Sequence, residues 1–146
     1  ENLSKIDFSE YIKSLAMHIS QLRDVNSNKA SVITRTENIF LGIDLAIPCG
    51  LLINELLTNA FKYAFPGDKT GEIRIQMRLK DNQSYELVIS DNGVGLPGHI
   101  DIQNPPSFGL HLVNILNKQL AGKIEVNREK GTTFTIEFPV ERRSRK

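Results

Sequence analysis

The chain has 146 residues, 40% of them hydrophobic and 24% charged, with a formal net charge of +1. That suits one domain with a single sizeable core and gives no electrostatic reason to expect nucleic acid or a membrane surface as partner. A single cysteine excludes an internal disulfide and fits a reducing compartment. No apolar run approaches the ~20 residues that cross a bilayer, and the start at Glu1 shows neither a signal-peptide pattern nor a methionine, which suggests a piece of a longer protein.

In chain order, Phe8, Tyr11, Ile12, Leu15, Ile19 and Leu22 recur at helical spacing, and Asp7 with Glu10 forms a capping box for that helix. Asn26-Ser27-Asn28 ends it. Residues 30–37 (ASVITRTE) alternate apolar and polar as a half-buried strand does, Asn38 turns the chain, and 39–43 is a short second strand. A helix over 47–65, IPCGLLINELLTNAFKYAF, comes next, with Pro48 in its first turn, where no intrahelical bond is lost. Its buried face is Ile53, Leu56, Leu57, Ala60, Phe61 and Ala64.

Past Pro66-Gly67-Asp68, residues 72–80 alternate with Ile73, Ile75, Met77 and Leu79 on one face, and Asp81-Asn82-Gln83-Ser84 connects them to a partner strand over 85–90. Residues 96–107 show no periodicity and read as a loop, expected to be mobile until a ligand orders it. A third helix over 108–120 buries Leu110, Val113, Leu116 and Leu120 and is closed by Gly122. Strands over 123–127 and 132–140 turn through Gly131, and 142–146 is a basic, solvated tail. The mixture predicts an α+β fold of one domain over 1–141: a two-layer sandwich, one mixed β-sheet covered by about three helices on one face. Residues 1–27 would be its N-terminal helical segment.

Chemistry gathers at two places. Glu55, Asn59, Lys62 and Tyr63 fall within roughly 100° of one another on the helical wheel. A carboxylate, an amide, an ammonium and a phenol in one stripe of a mostly buried helix suggest a polyphosphate and metal site, although an ordinary solvated face has the same pattern. The second place begins at Asp91. Gly93-x-Gly95-x-x-Gly98 matches the dinucleotide fingerprint in letters only, because no helical pattern follows Gly98 and no acidic residue closes a second strand about 20 positions on. Asp91 at a strand end is better suited to accept a hydrogen bond from the exocyclic amino group of adenine, with Gly93 and Gly95 letting the backbone pass close to the base. A plain Asp-Asn-Gly turn is the competing explanation.

Asn59-Ala60-x-Lys62-Tyr63, Asp91-x-Gly93-x-Gly95, Phe108-Gly109-Leu110 and Gly131-Thr132-Thr133-Phe134 resemble, in order, the N, G1, G2 and terminal Gly-Thr boxes of the Bergerat-fold (GHKL) ATPases. Within that superfamily the chain is most similar to the ATP-binding catalytic domain of two-component sensor histidine kinases, in the subfamily whose N box reads NELxTNA. The resemblance covers nearly the whole chain. It departs from the pattern in having no separate phenylalanine box and a short lid over 96–107.

The resemblance implies Mg-ATP as ligand, with Asn59 on the Mg²⁺, Lys62 on phosphate charge and Tyr63 lining the pocket. Asp91, Gly93, Gly95, Leu96 and Thr133 would surround the base. Gly109 and Leu110 would bring a helix N-terminus to the triphosphate, His111 just after them would either reach a phosphate or sit on the helix surface, and Glu55 would accept the proton of the attacking group. It further implies a cytoplasmic domain, in a soluble or membrane-anchored parent, that phosphorylates a histidine on its own dimerisation domain and so serves a response regulator. No contact with nucleic acid or membrane is implied. A protein-serine kinase of the anti-sigma type and a non-catalytic ATP-sensing module share the boxes. His18 lacks the surroundings of a phosphoacceptor, His99 falls in the loop, and Cys49 has no base partner, which leaves it a packing residue.

Overall fold

The computed structural model describes residues 5–22, 30–98, 100, 101 and 107–141. Their order is β1 (Lys5–Asp7), α1 (Phe8–Leu22), β2 (Ala30–Thr36), β3 (Phe40–Gly42), α2 (Ile43–Tyr63), β4 (Gly71–Lys80) and β5 (Ser84–Asp91). Then follow α3 (Phe108–Gln119), β6 (Lys123–Asn127) and β7 (Thr132–Pro139). Five strands form one mixed sheet in the order β2-β4-β5-β7-β6, with β2 parallel to β4 and every other pair antiparallel.

Strands β4, β5 and β7 bury alternate residues, so one face of the sheet is the core face. Ile75, Leu87 and Ile136 on that face and Leu52, Ile53 and Leu57 on α2 are all fully buried in one continuous core. The expected sandwich is present, with one addition. β1 and β3 pair separately as a two-stranded antiparallel ribbon. Strands so short are marginal alone, and this ribbon is pinned where Ile39 accepts hydrogen bonds at its carbonyl from the amides of Phe8 (2.8 Å) and Ser9 (3.3 Å). The Ile39 amide donates in return to Ser9 Oγ at 3.0 Å.

Helix ends depart from the expectation more than helix bodies do. α2 starts at Ile43, not at residue 47, so Pro48 is its sixth residue and lies inside the helix. The Asp44 carbonyl there loses its i→i−4 donor, and the apolar stripe through Leu45, Ala46 and Cys49 carries the helix across that gap. At 21 residues and a mean hydropathy of 1.2, α2 matches a bilayer-spanning helix in length and composition, but half of that stretch is buried inside the fold. It is the core helix. α1 shows half of the expected capping box: Asp7 Oδ1 accepts from the Glu10 amide at 3.2 Å, while the Glu10 carboxylate lies 3.7 Å from Lys13 Nζ. The expected stop at Asn26-Ser27-Asn28 lies outside the described residues.

α3 is capped by Ser107, whose Oγ accepts from the Leu110 amide at 3.3 Å. Its far end is a Schellman turn, with Gly122 N–H donating to Asn117 O (2.9 Å) and Ala121 N–H to Lys118 O (3.0 Å). The left-handed residue of that turn is Ala121, φ 57°, one position before the glycine expected to close the helix. Gly122 serves differently. A side chain there would run into Asn117 Oδ1, and Asn117 Nδ2 donates to the Gly122 carbonyl at 3.1 Å. In β4, Leu79 shares the face of Ile73, Ile75 and Met77 yet remains 44% exposed.

Candidate functional site

One cleft opens between α2 and the ends of β5 and β7, lined by Asn59, Ala60 and Tyr63 from α2 and by Asp91, Leu96 and Thr132 opposite. The helical period puts Asn59 and Tyr63 one turn apart on the same edge of α2. The strand period does the rest. Ile89 and Asp91 share the core face of β5, paired across to Phe134 and Thr132 of β7. The cleft is open to solvent, and the space enclosed at its floor is small, about 20 Å³.

Asp91 is the buried charge of this cleft, 9% exposed. Burial pushes its carboxyl pKa up, and the backbone N–H groups of Gly93 and Thr132, both aimed at the carboxylate, pull it part of the way back. The Gly93 amide donates to Asp91 Oδ1 at 3.0 Å. Gly93 has no room for a side chain, because a Cβ would collide with the Ala64 carbonyl at the end of α2, and that carbonyl accepts from the Val94 amide at 2.8 Å. Gly95 adopts φ 78°, and a Cβ there would lie 2.7 Å from Thr132 Oγ1. That oxygen accepts from the Leu96 amide at 2.7 Å. The strand before these glycines is antiparallel to both of its neighbours, which removes the parallel unit that the dinucleotide fingerprint needs.

The other expected site residues divide into two groups. Asn59, Tyr63, Asp91, Gly95 and Leu96 line the cleft together. Glu55, one turn before Asn59, is half-buried, with Oε1 2.7 Å from where a Cβ on Gly109 would lie, so the first turn of α3 comes up against it. Lys62 is exposed, its Nζ 5.3 Å from the centre of the Tyr63 ring. Leu110 is a core residue, and its amide and that of His111 are both taken by Ser107. The amides of Phe108 and Gly109 are the ones Ser107 does not take. The His111 side chain is exposed.

Thr133 is the exception. It pairs with Ser90 on the half-exposed face of β7, away from the core, and the threonine that reaches the cleft is Thr132, 3% exposed. Sequence reasoning passed over Thr132, although counting back by twos from Phe134 finds it. It also passed over Ile89 and Phe134, the apolar floor, which two-residue alternation back from Asp91 places on the same face. Of the expected loop over 96–107, residue 99 and residues 102–106 lie outside the described residues, and its expected mobility with them.

Among the described residues no group of three or more His, Cys, Asp or Glu side chains could hold a metal ion. Asn59 is the polar group in the cleft with an unmet need: its Nδ2 is buried without a hydrogen-bond partner.

Residues 45–142 match the sequence profile of a family described as histidine kinase-, DNA gyrase B-, and HSP90-like ATPase. The chain is 25% identical over 136 residues to blue-light-activated histidine kinase 2 of Erythrobacter litoralis, covering 92% of this chain and 39% of that protein. It is 32% identical over 109 residues to the sensor histidine kinase PdtaS of Mycobacterium tuberculosis, covering 72% of this chain and 22% of that protein. The chain thus spans well under half the length of these relatives. Among solved structures, the histidine kinase domain of the Erythrobacter litoralis EL346 blue-light activated histidine kinase superposes with a TM-score of 0.85 at 24% identity, over 92% of this chain and 62% of that one. The mycobacterial sensor histidine kinase MprB does so with a TM-score of 0.72 at 21% identity, over 92% and 95%. At these identities the likeness is one of fold.

Proposed function

Because the chain belongs to the histidine kinase-, DNA gyrase B- and HSP90-like ATPase family, we propose that it is the Mg-ATP-binding catalytic domain of a sensor histidine kinase. In this reading it is one domain over residues 1–141, cytoplasmic, within a longer two-component protein. It would transfer the γ-phosphate to a histidine on a separate dimerisation domain, from which a response regulator is served. The relatives found are sensor kinases, which favours this over a protein-serine kinase of the anti-sigma type.

The observation that carries the reading is the buried Asp91 carboxylate in a cleft shared with Asn59. Asp91 accepts from the amino group of adenine, where guanine presents an oxygen. Thr132, with its hydroxyl already bound to the Leu96 amide, fixes the loop beside the base. Asn59, an amide at the cleft wall, would offer its oxygen to Mg²⁺, an ion that needs few protein ligands and would supply neutralisation of phosphate charge. Lys62 is free to swing toward phosphate from the exposed side of α2. The Phe108 and Gly109 amides supply the positive end of α3. Glu55, set against that end, accepts the proton leaving the attacking imidazole.

Calorimetric titration with Mg-ATP and Mg-GTP tests the assignment. GTP is expected to bind at least about tenfold more weakly, a difference of about 1.4 kcal/mol, within reach of one charge-assisted hydrogen bond. Equal affinities would remove the role given to Asp91.

A further inference from the structure

We propose that Arg128, in the turn between β6 and β7, is a positioning residue that latches one wall of the cleft and so sets the rate at which nucleotide enters and leaves. The inference rests on the nucleotide reading above. Its guanidinium donates to three carbonyls of the stretch that follows Leu96: Nη1 to Pro97 O at 3.0 Å and to Gly98 O at 3.3 Å, and Nη2 to Ile100 O at 2.6 Å. A planar fork with five donors can serve several carbonyls from one fixed position, which a lysine ammonium on a flexible stem does not do. Within the same stretch the Ile100 amide donates to Pro97 O at 3.1 Å, a turn bond that Arg128 spans.

Two side chains depend on this latch. Leu96 (8% exposed) lines the cleft, and Ile100 (7% exposed) is buried beyond it. Leu96 is one wall of the cleft, so a shift of the stretch that carries it changes the opening past which a base moves. Two other ties hold that wall, Val94 N–H to Ala64 O and Leu96 N–H to Thr132 Oγ1, and both involve residues that line the cleft itself. Arg128 stands outside the lining. Removing it therefore changes how often the wall opens while leaving Asp91, Asn59 and Thr132 in place to recognise the ligand.

The test uses the 146-residue chain with Arg128→Ala and Arg128→Lys. Release of a ribose-labelled fluorescent ADP, chased with excess Mg-ATP in a stopped-flow instrument, is read beside amide hydrogen exchange of Ile100 without nucleotide. In the alanine variant, release is expected to speed up roughly tenfold or more, the loss of charge-assisted bonds seen as a rate. Affinity should move by less than about threefold because binding speeds up as well, and Ile100 should lose protection. Lysine keeps the charge but not the fork, and is expected to behave like alanine. Unchanged release and unchanged Ile100 exchange in the alanine variant would overturn the latch. Wild-type behaviour in the lysine variant would also overturn it, leaving charge alone as the cause. A wild-type chain that fails to bind the labelled ADP would overturn the nucleotide reading instead, and the exchange of Ile100 would still decide whether the latch exists.

Discussion

At Asp91 the fold holds an ionisable group where ionisation is disfavoured. Its carboxyl pKa is raised on folding, chiefly by burial, so the native state binds its proton more tightly than the unfolded chain does. Stability then falls as pH rises from the ordinary carboxylate value of 3.8 through the raised folded value. The penalty is complete above that window and absent below it. Asp91→Asn keeps an acceptor for the Gly93 and Thr132 amides and removes the charge. The ligand-free variant is expected to melt above the wild type at pH 7, with the gap shrinking as the pH approaches 4, while discrimination between ATP and GTP is lost. Thermal melts across that range check it, and a variant less stable than wild type at pH 7 would contradict it. A buried charge kept at a cost in stability is what a recognition group requires.

At the scale of elements, the left-handed Ala121 at the end of α3 carries a cost that a glycine would not. Ala121→Gly is expected to raise stability by about 0.5–1 kcal/mol, measured by urea unfolding. A loss of stability would mean that the alanine side chain matters more than its backbone angle. The same helix shows what the sequence discloses and what it conceals. The body of α3 follows from Leu110, Val113, Leu116 and Leu120 at 3.6-residue spacing. Its closure does not, because Gly122 is the obvious breaker while the left-handed position falls on the residue before it. Periodicity likewise finds the bodies of α2, β4, β5 and β7, since each buries one face. It misplaces the start of α2, because the proline rule puts Pro48 in a first turn that in fact begins five residues earlier. β1 has three residues, too few for any period, and exists only by pairing with β3. At the site, the motif letters locate Asp91 and Asn59, but the choice between Thr132 and Thr133 is a matter of register. Arg128 carries no motif at all, and its three acceptors are backbone atoms some 30 residues away.

Over the whole molecule, α2 joins stability to function. One edge of it closes the core through Leu52, Ile53 and Leu57, and another presents Glu55 and Asn59 beside the cleft. In the proposed function the chain gathers groups that would position and neutralise a triphosphate, but its described histidines, His18 and His111, are both exposed on helix surfaces and neither lies in the cleft lining. Phosphoryl transfer depends on in-line placement and electrostatic stabilisation, so good ATP binding does not by itself supply an acceptor. In the proposed role of Glu55, Glu55→Gln would remove a proton acceptor and no phosphate contact. It is expected to slow transfer while leaving nucleotide affinity within about threefold. The measurement that bears most directly on the central claim is incubation with ATP labelled at the γ-phosphate, first of this chain alone and then with a separately purified histidine-bearing helical domain from the same full-length protein. No label is expected on this chain alone, and acid-labile label is expected on the added domain, slowed by Glu55→Gln. Stable acid-labile label on this chain alone, abolished by His18→Ala, would contradict the claim.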